Sequence, residues 1–96
     1  MRVVLTDAAI DDLAAIRAYL EGRNPTAYRV IAEHIKQALL LLEEFPSMGR
    51  AGQHLGTREL VVRSTNYVLV YEGSSDTLTV LRVWDGRQGG RPITDA

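Results

Sequence analysis

The chain has 96 residues, of which 46% are hydrophobic and 24% are charged, and its formal net charge at pH 7 is −1. This length allows one domain and excludes folds of about 200 residues or more, such as the (β/α)₈ barrel. The absence of cysteine excludes a disulfide scaffold, a zinc site with thiolate ligands and a cysteine nucleophile. A near-neutral charge also argues against a protein whose whole surface attracts nucleic acid.

The first half of the chain predicts a short strand followed by two helices. Residues 3–5 are apolar and rich in β-branched side chains, which favours a strand. Thr6 is a good helix N-cap, and apolar residues recur at helical spacing after it. Asn24 and Pro25 form a second helix start, and that helix ends before Pro46. Because only a few residues separate the two helices, we expect an antiparallel αα-hairpin.

The second half predicts a loop and three strands. Residues 47–56 contain three glycines and are typical of a loop. Three strand-like segments follow at residues 60–62, 67–71 and 78–84. Turn-like residues separate them, which favours an antiparallel meander. The predicted order is β-α-α-β-β-β, an α+β fold with the helical hairpin packed on one face of a mostly antiparallel sheet. We expect a single domain over residues 1–96, with a flexible tail from about residue 86.

Alternation along the predicted strands assigns side chains to the two faces of the sheet. The helix-facing positions are Leu60, Val62, Leu69, Tyr71, Leu81 and Val83. The opposite face carries Glu59, Val61, Arg63, Val68, Val70, Val80, Arg82 and Trp84. That second face is only half polar and combines two arginines with the only tryptophan, a composition typical of a surface that binds another macromolecule. The alternative is that the carboxy-terminal tail folds over it.

Six residues are candidates for contacting a partner: Arg58, Arg63, Arg82, Trp84, Arg87 and Leu40. Arginine recognises partners through planar, bidentate hydrogen bonds, whereas the alternative is that these are solvated strand arginines. Arg58 has a second alternative, an ion pair with Glu59, and Trp84 has packing as its alternative. Leu40 lies opposite the apolar stripe of the second helix and is a candidate for docking a partner helix, although a single exposed leucine is also ordinary.

Several different short sequence blocks follow one another along nearly the whole chain. They are residues 9–20 followed by Asn24 and Pro25, then 45–50 (Phe-Pro-Ser-Met-Gly-Arg), 56–60 (Gly-Thr-Arg-Glu-Leu), 67–71 (Tyr-Val-Leu-Val-Tyr) and 81–88 (Leu-Arg-Val-Trp-Asp-Gly-Arg-Gln). Together these blocks resemble the RelE/ParE superfamily of bacterial type II toxins, and the ParE branch in particular. The resemblance implies the same order of helices and strands and a cognate antitoxin that wraps and neutralises the toxin.

The RelE branch of this superfamily cuts messenger RNA in the ribosomal A site with lysine and arginine side chains on the sheet. Such cations stabilise the charge that develops on the phosphoryl oxygens during attack by a 2′-oxygen. At the matching positions this chain has Glu59, Val61 and Val68, and only Arg87 matches a basic position. Trp84 stands in the region where some family ribonucleases have a histidine. Most of the ribonuclease residues are therefore missing, and we assign no catalytic residue.

The resemblance to the ParE branch implies a type II toxin that inhibits growth by binding DNA gyrase and forms a hetero-oligomer with a ParD-like antitoxin. The alternatives are a RelE-like ribosome-dependent mRNA endoribonuclease and an inactive family member that only binds its antitoxin. We expect no enzyme activity, no cofactor and no sequence-specific nucleic-acid binding, and no metal site because His34 and His54 lack ligand spacing. The longest apolar run, residues 38–42, is far shorter than the roughly 20 residues of a membrane span, and the amino terminus lacks a signal-peptide pattern, so we expect a cytoplasmic protein.

Overall fold

The computed structural model describes residues 1–87, in which two helices pack against a five-stranded sheet. The elements are β1 (Arg2–Leu5), α1 (Asp7–Leu20), α2 (Pro25–Glu44), β2 (Arg50–Ala51), β3 (Arg58–Val61), β4 (Tyr67–Gly73) and β5 (Thr77–Asp85). The strand order is β1-β5-β4-β3-β2, with β1 parallel to β5 and the other pairs antiparallel. The predicted α+β fold is confirmed.

Both helices begin at the residues that the sequence predicted. Thr6 Oγ1 accepts a 3.1 Å hydrogen bond from the Ala9 N–H, and Asn24 Oδ1 accepts a 3.0 Å bond from the Ala27 N–H. These side chains satisfy backbone donors that every helix start leaves unpaired. The Thr6 hydroxyl also donates to the Leu81 carbonyl at 2.8 Å, so the same cap ties the start of α1 to β5.

The core lies between the two helices and the sheet. Its buried residues are Ala9, Ile35, Ala38, Leu42, Val62, Leu69, Tyr71, Leu78, Val80 and Val83. The contribution of α2 comes from Ile35, Ala38 and Leu42, which share one face at helical spacing. Fully burying a large apolar side chain contributes roughly 1.5–3 kcal/mol, so this layer holds the helices on the sheet. No helix within residues 1–87 is long and apolar enough to cross a bilayer.

A β-bulge in β5 changes which side chains face the helices. Val70 pairs with Arg82 while the next residue, Tyr71, pairs with Val80, so Leu81 is an extra residue in β5. Side chains alternate with period two, and one extra residue reverses the faces beyond it. The prediction that Val80 faces away from the helices and Leu81 toward them is therefore wrong. Val80 belongs to the core, and Leu81 is buried outside the core cluster.

The segment 47–56, predicted as a loop, also contains a strand. Arg50–Ala51 form β2, which pairs with β3 at the edge of the sheet. Buried Tyr71 holds the segment that precedes β2. Its hydroxyl accepts a hydrogen bond from the Gly49 N–H at 2.8 Å and donates one to the Pro46 carbonyl at 2.8 Å. A strand of two residues has no recognisable alternation, so only its pairing with β3 reveals it.

The sheet face away from the helices is more buried than its composition predicted. Val68 and Val70 are each 4% exposed although both lie outside the core cluster, whereas Val61 is 53% exposed. The predicted tail and the alternative that it covers this face fall mostly on residues 88–96, outside the described residues. Of the two described tail residues, Gly86 donates its N–H to the Asn66 carbonyl at 2.6 Å.

Candidate functional site

Three of the six candidate residues meet on one concave surface at the end of β5. Arg82, Trp84 and Arg87 line this surface together with Tyr19 of α1 and Tyr67 of β4, and these five residues define what we term the aromatic surface. Neither tyrosine was among the predicted contacts, because no local pattern in the sequence places Tyr19 beside β5. Tyrosine, tryptophan and arginine are the residue types that most often dominate the binding energy of protein interfaces.

Arg82 is held by the carboxylate of Asp12. Its Nε and Nη2 donate to Asp12 at 2.8 and 2.9 Å, and Asp12 also accepts the backbone N–H of Val83 at 2.9 Å. The pairing of β1 with β5 ends at Val80, so β1 offers no acceptor to the Val83 N–H. The Asp12 carboxylate satisfies this backbone donor at the edge of the sheet. The hydrogen bonds that Arg82 donates to Asp12 raise the pKa of Arg82. The guanidinium that the sequence assigned to the open sheet face is therefore fixed against α1.

Arg87 is paired in the same way with Asp85. Its Nε and Nη2 donate to the carboxylate at 3.1 and 2.9 Å, and its backbone N–H donates at 3.0 Å. The side-chain hydrogen bond from Arg87 lowers the pKa of Asp85, while burial raises the pKa of the neighbouring Tyr67. Because each arginine of the aromatic surface has its own carboxylate, the surface has little net charge.

Trp84 contributes an unsatisfied donor. Its indole Nε1 is buried and has no hydrogen-bond partner within residues 1–87. A buried indole N–H usually finds an acceptor, and leaving such a donor unpaired costs about 1–3 kcal/mol. Trp84 lies opposite Val68 in the pairing of β4 with β5. The surface itself presents aromatic rings and two oriented guanidinium groups.

Arg58 and Arg63 lie elsewhere. Nη1 of Arg58 donates to the Gly49 carbonyl at 2.9 Å and so holds the chain before β2. The alternative ion pair between Arg58 and Glu59 is disfavoured, since adjacent strand residues point to opposite faces. Glu59, which is 4% exposed, pairs with Arg50 at 3.5 Å instead. Arg63 is exposed, and its guanidinium has no ion-pair partner in the part of the chain that the structure describes.

Leu40 lines a separate apolar groove of about 320 Å³ between the helices. We term it the helical groove, lined by Leu13 and Ile16 of α1 and by Tyr28, Ile31, Ala32, Ile35, Lys36, Leu39 and Leu40 of α2. Lys36 is its one charged lining residue, and Leu40 is 53% exposed. Such a groove fits the apolar face of an amphipathic helix, whose side chains recur at i, i+3 or i+4, and i+7.

The arrangement of charge bears on the chemistry that the molecule can perform. RNA cleavage needs fixed cations directed at the phosphate, whereas Arg82 and Arg87 are directed at carboxylates. Within residues 1–87, no group of three histidine, aspartate or glutamate side chains is placed to hold a metal ion. The guanidinium groups of Arg82 and Arg87 are therefore already occupied by carboxylates within the folded chain.

Comparisons with known proteins agree with the fold. A family model described as "ParE toxin of type II toxin-antitoxin system, parDE" matches residues 3–89. "Putative toxin Y4kP" of Sinorhizobium fredii is 37% identical over 82 residues, which span 83% of this chain and 85% of that protein. A chain of the "Chromosomal ParDE TA system from P. aeruginosa" has a TM-score of 0.75 at 20% identity, covering 86% of this chain and 92% of that chain. At that identity the similarity shows a common fold.

Proposed function

The chain belongs to the ParE toxin family of type II toxin–antitoxin systems, and we propose that it inhibits DNA gyrase by binding through the aromatic surface. The observation that carries the proposal is the paired state of Arg82 and Arg87. Paired guanidinium groups beside aromatic rings suit a protein interface from which water is excluded. A ribonuclease needs cations that are available to phosphate, so the RelE-like alternative is not favoured.

The exposure of the individual side chains supports a protein partner. Tyr19 is 60% exposed, and the Arg87 side chain is 65% exposed, so both are accessible for contact. Pairing with a carboxylate orients Arg87 before binding, which reduces the entropy lost when its side chain is immobilised.

We further propose that a ParD-like antitoxin binds the helical groove and forms a hetero-oligomer with the toxin. The family description names a toxin–antitoxin system, which supports an antitoxin as the partner of this toxin. The groove is apolar along its length and presents Leu40 at its surface, which supports docking of an amphipathic helix. An acidic residue on that helix would face Lys36. Because gyrase acts on chromosomal DNA, the proposal implies a cytoplasmic protein.

The test is a supercoiling assay with purified gyrase and the purified chain. We expect the chain to block supercoiling or trap cleaved DNA, and to leave translated messenger RNA intact. Codon-specific cleavage in a translating extract, abolished by Arg87→Ala, would instead identify the ribonuclease. A third outcome, no growth defect on induction without the antitoxin, would indicate an inactive member that only binds its partner.

A further inference from the structure

We propose that Arg23 positions the ring of Tyr19 as an anchor for an uncharged side chain of the target, an inference that rests on the proposed function. Arg23 lies in the turn between α1 and α2, outside the residues that line the concavity of the aromatic surface, whereas Tyr19 lines that concavity. The guanidinium carbon of Arg23 lies 4.3 Å from the centroid of the Tyr19 ring. A cation therefore covers one face of the ring, and the rest of the ring is open to a partner.

Three contacts hold Arg23 in this place. Its backbone N–H donates to the Leu20 carbonyl at 3.1 Å, and its Nη1 donates to the Tyr19 carbonyl at 2.9 Å. Carbonyls in the last turn of a helix lack intrahelical partners, and an arginine side chain near the helix end satisfies them. The third contact is the cation–π interaction with the ring. Arginine combines these contacts because its guanidinium is planar, carries five donors and stacks on aromatic faces.

A tyrosine held before binding makes a better contact than a mobile one. Tyr19 is still 60% exposed, so most of its side chain is accessible to a partner. An exposed side chain loses rotamer freedom when a partner immobilises it, and this loss of entropy opposes binding. Rigid tyrosines supply a large contact area at a low entropy cost. Arg23 therefore favours target binding by restraining Tyr19 in the free protein.

The charges of the concavity indicate which side chain of the target meets this ring. Within residues 1–87, the charged residues that line the concavity form two ion pairs, Asp12 with Arg82 and Asp85 with Arg87. A charged side chain of the target would lose its hydration there and would have to compete with these pairs. An apolar or aromatic side chain avoids that cost and packs against the accessible part of the Tyr19 ring.

A double-mutant cycle in the supercoiling assay separates positioning from direct contact with gyrase. Arg23→Ala should weaken inhibition by about two- to fivefold, the factor that corresponds to an exposed cation–π contact. Tyr19→Ala should weaken it by about tenfold or more. In the Tyr19→Ala background, adding Arg23→Ala should have almost no further effect, because the ring on which Arg23 acts is absent. An equal effect of Arg23→Ala in both backgrounds would overturn the inference.

Arg17→Ala is the matched control in the same assay. Arg17 is an exposed arginine of α1 that pairs with Glu21, and it does not line the concavity of the aromatic surface. We expect its removal to change inhibition by less than about twofold. A loss as large as that of Arg23→Ala would overturn the inference, because the removal of any cation from this end of α1 would then explain the effect.

The contact between Arg23 and Tyr19 is also measured without gyrase. The ring current of Tyr19 should shift the NMR signals of the Arg23 Hδ protons, and Tyr19→Ala should return them to the values of an unstacked arginine. The Hδ signals of Arg17 should not respond. Arg23 signals that do not respond to Tyr19→Ala would overturn the inference while leaving the proposed function intact. If the ring-current shift is present but the unmodified chain does not inhibit gyrase, the proposed function fails and the role of Tyr19 as its anchor falls with it.

Discussion

Asp12 and Arg82, which are 70 residues apart in the chain, form a two-point ion pair that joins α1 to β5. The pair is only partly accessible, with side-chain exposures of 17% for Asp12 and 29% for Arg82. The same carboxylate accepts the Val83 N–H, so one side chain closes the strand edge and orients a guanidinium of the aromatic surface. Stability and the shape of the candidate site therefore depend on the same residue.

Asp12→Ala removes three hydrogen bonds and leaves the Arg82 guanidinium and the Val83 N–H unpaired. We expect the free energy of unfolding to fall by about 2–3 kcal/mol, because hydrogen bonds to charged groups contribute roughly 1.5–3 kcal/mol. Urea denaturation measures the change. The matched control is Glu21→Ala at the C-cap of α1, which removes an exposed pair with Arg17 and should cost less than about 0.5 kcal/mol. Equal losses would contradict the assigned role of Asp12.

Gly49→Ala tests the close packing around Tyr71. A Cβ at Gly49 would lie 2.7 Å from the Tyr71 hydroxyl oxygen and 2.9 Å from the Glu59 carbonyl oxygen. Overpacking of this kind typically costs about 1–3 kcal/mol, so we expect a thermal midpoint several degrees lower. Gly73→Ala is the control, since its Cβ would meet nothing within 4 Å. A loss at Gly49 no larger than that at Gly73 would refute the prediction.

Arg87→Ala tests whether Arg87 contacts the target without contributing much to the stability of the fold. We expect gyrase inhibition to weaken by about tenfold or more, as for truncation of a central arginine in an interface. Stability should change by only about 1 kcal/mol, because the Arg87 side chain is 65% exposed, although that of Asp85 is 19% exposed. Inhibition curves and urea denaturation measure the two effects. Arg63→Ala removes an exposed arginine outside the aromatic surface, and a similar loss there would argue against this surface.

Leu40→Asp tests the helical groove. We expect the variant to remain toxic on induction but to escape neutralisation, because docking of an apolar helix would desolvate the new carboxylate and the Lys36 ammonium one turn away. Leu40 is 53% exposed, so the substitution leaves the core intact. Growth with and without co-expressed antitoxin is the measurement. Leu55→Asp introduces the same charge on the exposed loop and should still be neutralised. Neutralisation of Leu40→Asp would place the antitoxin elsewhere.

The Asp85 carboxylate makes part of the free energy of unfolding depend on pH. Its pKa in the folded chain is lowered by the Arg87 hydrogen bond, so its contribution is present above the unfolded value of about 3.9 and is lost as pH falls through the lower folded value. Asp85→Asn should reduce stability near neutral pH by less than about 1 kcal/mol. Urea denaturation across the acid range should show the two proteins converging below both pKa values. Parallel curves would refute this linkage.

The sequence predicted most of the framework because local chemistry dictates it. Thr6 and Asn24 are side chains that cap a helix wherever the following residues favour one, and both caps form as predicted. The bulge at Leu81 was missed because neither glycine nor proline marks it, and it follows from how β5 pairs with β4. The short strand β2 likewise depends on its partner β3.

For the site, the residue types and ordered blocks of the sequence determined the toxin family and six candidate contacts. The tertiary structure decided which candidates meet. It joins Arg82, Trp84 and Arg87 on one surface with Tyr19 and Tyr67, and it assigns a carboxylate to both arginines. The physical reason is that the hydrophobic periodicity of a helix or strand indicates only which face of that helix or strand a side chain lies on. Contact between α1 and β5 depends on how the two pack across the core, and no local pattern encodes that packing.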